Sequence, residues 1–103
     1  MNTMNIIEIN DENLEEIIHN NTKVMLDCYA PWCGPCKMLS PVFEEFSAEE
    51  NKVQFCKINI DENPDVSERF DVMSIPTVLF FENGKLKNRQ SGMKTKEELK
   101  RLL

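Results

Sequence analysis

Two cysteines separated by two residues, Cys33 and Cys36, are the side chains of this sequence best suited to chemistry. A pair with this spacing can close a small disulfide ring, present two reactive thiols or supply two ligands to a metal. The chain holds four cysteines and one histidine, and neither Cys28 nor Cys56 belongs to a second pair that would complete a zinc site. An iron–sulfur cluster bridged between two chains is left open. The composition favours redox chemistry and predicts no bound metal.

The residues around the pair predict a turn from a strand into a helix. Residues 23–29 form an apolar run broken only by Asp27, which is typical of a central strand covered on both faces. Apolar residues after Cys36 recur with helical spacing to about Glu50. Cys33 is therefore expected at or just before a helix start, where unpaired N–H groups and the helix dipole favour a thiolate.

The rest of the chain predicts alternating strands and helices. Asp11 is a candidate cap for a first helix, Thr95 and Glu98 form a capping-box pattern for the last one, and Asn83-Gly84 predicts a hairpin turn. Besides the central strand, the expected strands are residues 4–9, 53–60, 77–81 and 85–91. The first helix is expected to end at about residue 19, and a short helix is expected over residues 64–70. We expect one α/β domain over residues 1–103 with a mixed sheet.

Composition limits the classes of partner. The 103 residues are 41% hydrophobic, as in a folded domain, and the formal net charge is −6. Phosphate backbones and anionic membrane surfaces should repel such a chain, so we predict no nucleic-acid and no membrane partner. No apolar run approaches the roughly 20 residues of a membrane span, and the expected location is the cytoplasm.

The hexapeptide Trp32-Cys33-Gly34-Pro35-Cys36-Lys37, preceded by Asp27 and followed by Ile75-Pro76-Thr77, resembles the thioredoxin family over nearly the whole chain. The resemblance implies the thioredoxin fold, a mixed five-stranded sheet of order 1-3-2-4-5 flanked by four helices. It also implies a thiol–disulfide oxidoreductase, an enzyme that reduces protein disulfides. The family needs no bound cofactor and works through a redox-active Cys33–Cys36 disulfide.

The same resemblance implies roles for the residues of the motif. Cys33 would be the nucleophile and the more exposed cysteine, and Cys36 the resolving thiol. Asp27 would accept the proton of Cys36 through water, with its pKa raised by burial and partly offset by Lys57. On the sequence alone, Asp27 can also be a carboxylate at a strand edge that reaches solvent.

Two residues between the cysteines bear on the direction of the reaction. Pro35 has no N–H to donate to the nucleophile's sulfur, and it stiffens the first helical turn after Gly34. Fewer donors leave the thiolate less stabilised, which makes the dithiol a stronger reductant.

A docking surface is also implied by the resemblance. The Ile75–Pro76 bond would be cis, and the backbone of Ile75 could pair with an extended substrate segment. Trp32 and Gly92 would complete a flat apolar surface beside the cysteines. The alternatives are a core tryptophan and an ordinary trans proline before a strand.

Alternation along neighbouring strands predicts the place of the other two cysteines. Asp27 and Lys57 should face one side of the sheet, so Cys28 and Cys56 share the other side, close together in the core as unreacted thiols. A regulatory disulfide between them is the less favoured alternative, because burial keeps oxidants out.

The partners implied by the resemblance are protein disulfide substrates and a thioredoxin reductase that returns electrons to a monomer. Two other functions are weighed against this one. The first is a thiol oxidant or isomerase, which Gly34-Pro35 disfavours. The second is a docking or scaffold subunit whose cysteines are incidental.

Overall fold

A computed structural model describes residues 5–103. Residues 5–103 form five strands and four helices, in which strands and helices alternate up to β4 and β5 and α4 then form a terminal hairpin and helix. The elements are β1 (Ile6–Ile9), α1 (Leu14–Asn20), β2 (Lys23–Tyr29), α2 (Gly34–Glu49), β3 (Gln54–Asn59), α3 (Pro64–Phe70), β4 (Thr77–Glu82), β5 (Lys85–Ser91) and α4 (Lys96–Lys100). Each lies where the sequence predicts it, with ends that differ by a few residues. Met4, the first residue of the first predicted strand, lies outside the described residues.

The sheet has the order β1-β3-β2-β4-β5, as the resemblance implies. The strands β1, β3 and β2 run parallel, whereas β4 is antiparallel to β2 and β5 to β4. A parallel neighbour requires a crossover, which α2 supplies between β2 and β3. The last two strands need only the tight turn at Asn83 and Gly84, both of which have positive φ.

Alternation along β2 sends its side chains into two cores, one on each face of the sheet. Leu26 and Cys28 join the core against α1 and α3, which includes Ile18 and Val66. Met25 joins the core against α2 and α4, which includes Phe43, Phe46 and Leu99. Asp27 follows Met25 in the alternation and therefore points to the α2 side, the side of the cysteine pair.

The helix starts differ in how closely they match the sequence pattern. The capping box of Thr95 and Glu98 at α4 is present as predicted. The predicted cap of α1 is wrong: the N-cap is Asn13, and Asp11 instead accepts a hydrogen bond from the backbone N–H of Asp65, in the first turn of α3, at 3.1 Å. The α3 loop folds against the β1–α1 loop, and this long-range contact takes the carboxylate.

Candidate active site

The cysteine pair lies at the junction of β2 and α2. Cys33 is the N-cap residue of α2, and its Sγ accepts a hydrogen bond from the backbone N–H of Cys36 at 3.2 Å. Pro35 lies in the first turn of α2, where backbone N–H groups have no partner within the helix, so its missing N–H costs no helical hydrogen bond. Cys33 and Cys36 are joined by a disulfide, and their Cα atoms lie 5.2 Å apart. The sulfurs therefore stand at the positive end of the helix dipole.

The two cysteines are almost equally covered, with exposed fractions of 4% for Cys33 and 5% for Cys36. The expectation that Cys33 is the more exposed is therefore wrong for this disulfide form. As the cap, its side chain folds back over the first turn of α2 toward the N–H of Cys36, which hides it. Gly34 and Pro35, between the cysteines, are exposed.

Asp27 is buried beneath the pair. Only 3% of the residue is exposed, and its Oδ1 makes no hydrogen bond to any described residue. Burial raises the pKa of Asp27 to about 7, with a smaller rise from Glu8 and a lowering by Lys57. A pocket of about 160 Å³ is lined by both Asp27 and Cys36, together with Lys37, Ser40 and Lys57. The pocket that Asp27 and Cys36 share has room for water.

Lys57 stands opposite Asp27 in the register of β2 and β3. Its Nζ lies 4.7 Å from the ring centroid of Tyr29 and forms no ion pair with any described residue. The Tyr29 hydroxyl donates to Glu8 Oε2 at 2.8 Å. Burial and the hydrogen bond to Glu8 both raise the pKa of Tyr29. Sequence reasoning missed Glu8, because no local pattern links β1 to the end of β2.

Three of the residues assigned to docking, Ile75, Pro76 and Gly92, lie together beside the cysteine pair. The Ile75–Pro76 peptide bond is cis, as the resemblance implies. Ile75 packs against the small cluster that contains Cys33 and Cys36. Gly92, with a positive φ, donates its N–H to the Pro76 carbonyl at 2.8 Å. These contacts place the cis proline and Gly92 side by side near the disulfide.

Trp32 is a surface residue, 67% exposed, and the alternative of a core aromatic is wrong. Its Nε1 donates to Asp61 Oδ2 at 2.7 Å, which ties the indole to the turn after β3. The sequence showed Asp61 only as a turn residue. Met73 and Met93 flank the docking residues in sequence and are 87% and 39% exposed. Neither was among the predicted docking residues.

Cys28 and Cys56 lie in one core cluster as free, fully buried thiols, as predicted. Burial raises the pKa of Cys56 to about 12 and that of Cys28 as well. Cys56 Sγ lies 3.7 Å from the Met25 carbonyl oxygen, a weak hydrogen bond. Both thiols are therefore poor nucleophiles in the native fold.

Among residues 5–103, no group of three or more His, Cys, Asp or Glu side chains is placed to hold a metal ion. No helix in that range is both long enough and apolar enough to cross a membrane.

Comparisons with known proteins agree with this geometry. The family model described as thioredoxin matches residues 5–103. A thioredoxin of Mycoplasmoides gallisepticum is 42% identical over 94 residues, covering 91% of this chain and 94% of that protein. A thioredoxin of Staphylococcus haemolyticus is 40% identical over 101 residues, covering 97% and 96%.

Solved structures show the same similarity. A mutant thioredoxin from Halobacterium salinarum superposes with a TM-score of 0.88 at 30% identity, covering 99% of this chain and 91% of that one. The oxidised mitochondrial thioredoxin 3 of Saccharomyces cerevisiae also gives 0.88 at 30% identity, covering 96% and 93%.

A disulfide between Cys33 and Cys36 at a helix N-terminus, on a sheet of this order, defines a thiol–disulfide oxidoreductase. The chain belongs to the thioredoxin family. Its members are protein-disulfide oxidoreductases that carry no cofactor beyond the redox-active cysteine pair.

Proposed function

We propose that the protein reduces disulfides of other proteins, with Cys33 as the nucleophile and Cys36 as the resolving thiol. One observation supports this assignment most: Cys33 Sγ is the atom that accepts the backbone N–H at the start of α2. That donor and the helix dipole stabilise a negative charge on this sulfur. Cys36 sits one turn along, beside the pocket it shares with Asp27.

The reaction then proceeds in two exchanges. The Cys33 thiolate attacks one sulfur of the substrate disulfide, the substrate S–S bond breaks, and a mixed disulfide forms. Cys36 gives its proton to Asp27 through water and attacks Cys33 Sγ, which breaks the bond to the substrate sulfur. The two substrate thiolates take up one proton from Asp27 and one from solvent, and the substrate leaves as a dithiol. The protein is left with the Cys33–Cys36 disulfide, and two electrons from a partner must reduce it again.

Asp27 suits the role of proton acceptor because its pKa lies near neutrality. A base with a pKa of about 7 is ionised often enough to accept a proton, and basic enough to take it from a thiol. Lys57, its register partner, would limit the rise of that pKa.

Substrate docking is assigned to the edge formed by Trp32, Ile75, Pro76 and Gly92. Ile75 packs on the cysteine cluster, so a segment paired with its backbone would lie against Cys33. The exposed indole of Trp32, the neighbour of Cys33 in sequence, offers further apolar area, and Asp61 fixes its orientation.

We further propose that the protein acts as a monomer of one domain, receives electrons from a thioredoxin reductase and works in the cytoplasm. A reducing compartment suits a fold that keeps Cys28 and Cys56 as free thiols in its core. The net charge of −6 disfavours nucleic acid as a partner.

Turnover of a protein disulfide, with dithiothreitol as the electron source, tests the proposal. Cys33→Ser should abolish turnover. Cys36→Ser, reduced first and then mixed with the disulfide substrate in the absence of dithiothreitol, should form a mixed disulfide visible on a non-reducing gel. Cys28→Ala, which removes a buried thiol away from the pair, should keep turnover. A Cys33→Ser variant that still turned over substrate would refute the assignment of the nucleophile. If the parent protein showed no turnover and Cys33→Ser bound partners as tightly as the parent, the protein would be a docking subunit.

The direction of the reaction needs a second measurement, the reduction potential of the Cys33–Cys36 pair. The fluorescence of Trp32, the only tryptophan, can follow the pair in defined thiol buffers. With Gly34-Pro35 between the cysteines, we expect a value near or below about −250 mV, in the range of reductants. A value above about −200 mV would mean that the protein oxidises or reshuffles its substrates.

A further inference from the structure

Three ionisable side chains form one row across the sheet. The register pairs Glu8 of β1 with Lys57 of β3, and Lys57 with Asp27 of β2. Register partners on parallel strands point to the same face, and neighbouring strands lie about 4.8 Å apart. Lys57 therefore stands between two carboxylates, the exposed Glu8 and the buried Asp27.

Tyr29 holds two members of this row in place. Its hydroxyl donates to Glu8 Oε2 at 2.8 Å, and its ring lies under the Lys57 ammonium at 4.7 Å. Among the described residues, no carboxylate forms an ion pair with Lys57. The lysine charge is thus held over an aromatic ring, and its attraction is divided between Glu8 and Asp27.

A pocket joins the two carboxylates. Its volume is about 190 Å³, and its lining includes Glu8, Asp27, Lys57, Ser40 and Glu44. The charged or titratable groups that face Asp27 from the packed elements are Glu8 from β1, Lys57 from β3, Tyr29 from β2, and Cys36, Lys37 and Glu44 from α2. The register partner on β4 is the apolar Val78. Besides Asp27, the pocket is lined by the carboxylates of Glu8 and Glu44. Of these two, Glu8 is the one held by a side-chain hydrogen bond.

We propose that Glu8, fixed by Tyr29, is a positioning residue for the second exchange: it shares Lys57 with Asp27 and so sets how readily the Asp27 carboxylate takes the proton of Cys36. The inference rests on the proposed role of Asp27. Glu8 acts in two ways that have the same sign. Its charge disfavours a second negative charge on Asp27, and it draws the ammonium toward the β1 side.

Glu8→Gln removes the charge and keeps an oxygen that can accept from Tyr29. Asp27 then loses a repulsion and gains a larger share of Lys57, so its pKa should fall. For charges about 10 Å apart in a partly solvated pocket, we expect a fall of about half a unit. Glu12→Gln is the matched control, because Glu12 is exposed and lies outside both pockets. It should move the midpoint by no more than about 0.1 to 0.2 units.

The measurement is the titration of the Asp27 carboxyl carbon by NMR, in the full chain labelled at aspartate. A fall in Glu8→Gln that clearly exceeds the one in Glu12→Gln supports the proposal. Equal shifts, or a rise, overturn it. The acidic limb of the pH profile for release of substrate from the mixed disulfide should move in the same direction and by a similar amount.

Tyr29→Phe supplies a second, independent variant, since it removes the hydroxyl and keeps the ring under Lys57. If Tyr29 acts through Glu8, its substitution should lower the Asp27 midpoint in the parent and add nothing in the Glu8→Gln background. If the pKa shifts of the two substitutions were additive, Tyr29 would not act on Asp27 through Glu8.

Asp27→Asn separates a failure of this inference from a failure of the proposed function. If Asp27→Asn leaves substrate release unchanged at every pH, Asp27 is not the proton acceptor, while the NMR titration still decides whether Glu8 acts on Asp27. If Asp27→Asn removes the pH dependence but Glu8→Gln shifts neither the midpoint nor the profile, the role of Glu8 alone is wrong.

Discussion

Asp27 and Lys57 lie opposite each other on neighbouring parallel strands, and yet the lysine ammonium rests over the Tyr29 ring, 4.7 Å from its centroid. The carboxyl group is left in the interior with no ion pair to any described residue. Such a group costs free energy whenever it is charged, so the fold carries a penalty that depends on pH.

Asp27→Asn should stabilise the protein at pH 8 and change little at pH 3.5. The folded pKa of about 7 lies above the usual aspartate value of 3.8, so the contribution of Asp27 is most favourable below about pH 4. As pH rises toward 7, the unfolded state releases its proton first, and stability falls. The full difference, on the order of 4 kcal/mol, is present above pH 8.

Denaturant unfolding of the oxidised protein at the two pH values measures this difference. Glu12→Gln, at an exposed position, should change stability by less than about 0.5 kcal/mol at either pH. A gain for Asp27→Asn that is the same at pH 3.5 and pH 8 would contradict a buried carboxyl group with a raised pKa.

The two core thiols, Cys28 and Cys56, should not react quickly with thiol reagents in the native protein. Cys28 and Cys56 are fully buried, and burial raises the pKa of both. In the oxidised native state we expect no thiol to react quickly with a chromogenic disulfide reagent at pH 7, and two to react after unfolding. Reduction of Cys33–Cys36 should add fast thiols in the native state. Fewer than two thiols in the unfolded, unreduced chain would instead reveal a Cys28–Cys56 disulfide.

Two glycines allow a docking effect to be separated from a stability effect. Gly92 has φ +87 and open space where a Cβ would lie, so Gly92→Ala should cost about 1 kcal/mol of backbone strain. Because Gly92 is itself part of the proposed docking edge, beside Pro76, the added methyl group should raise the KM for a protein disulfide severalfold while kcat changes little.

Gly84→Ala is the matched control at the far end of the hairpin. Its φ is +81, and a Cβ there would lie 2.5 Å from His19 Nδ1, so it should cost at least as much stability. Its KM and kcat should stay at the parent values. Equal KM values for the two variants would argue against Gly92 as part of a docking edge.

Thr95→Ala should destabilise the protein by about 1 kcal/mol, the usual value for a lost helix cap. Thr95 Oγ1 accepts the N–H of Glu98, and the Glu98 carboxylate accepts the N–H of Thr95. The cap holds the short α4, whose Leu99 is fully buried. Thr22→Ala, at an exposed residue outside any cap, should change stability by less than half as much. Turnover should be unchanged in both.

Local patterns predicted most of the fold, because its elements depend on signals carried by a few adjacent residues. The Asn83-Gly84 turn, the Thr95 capping box and the apolar run of β2 are each read within a short window. Alternation along β2 also placed Cys28 correctly relative to Asp27.

What the sequence did not predict depends on contacts between distant segments. Three hydrogen bonds show this: Asp11 to the start of α3, Trp32 to Asp61, and Tyr29 to Glu8. No pattern of neighbouring residues predicts these partners. The near-equal exposure of the cysteines is likewise a property of the folded turn, in which Cys33 bends back over α2.

In the proposed mechanism, the reacting sulfur of Cys33 is also the cap of the helix that it begins. A negative charge on that sulfur strengthens its bond to the Cys36 N–H, so the first turn of α2 is held most firmly while the protein waits for a substrate. Bonding to a substrate removes the charge and weakens the cap. The first turn of α2 is then loosest when Cys36, one turn along, has to approach Cys33. The attack of Cys33 on the substrate thus frees Cys36 for the second exchange.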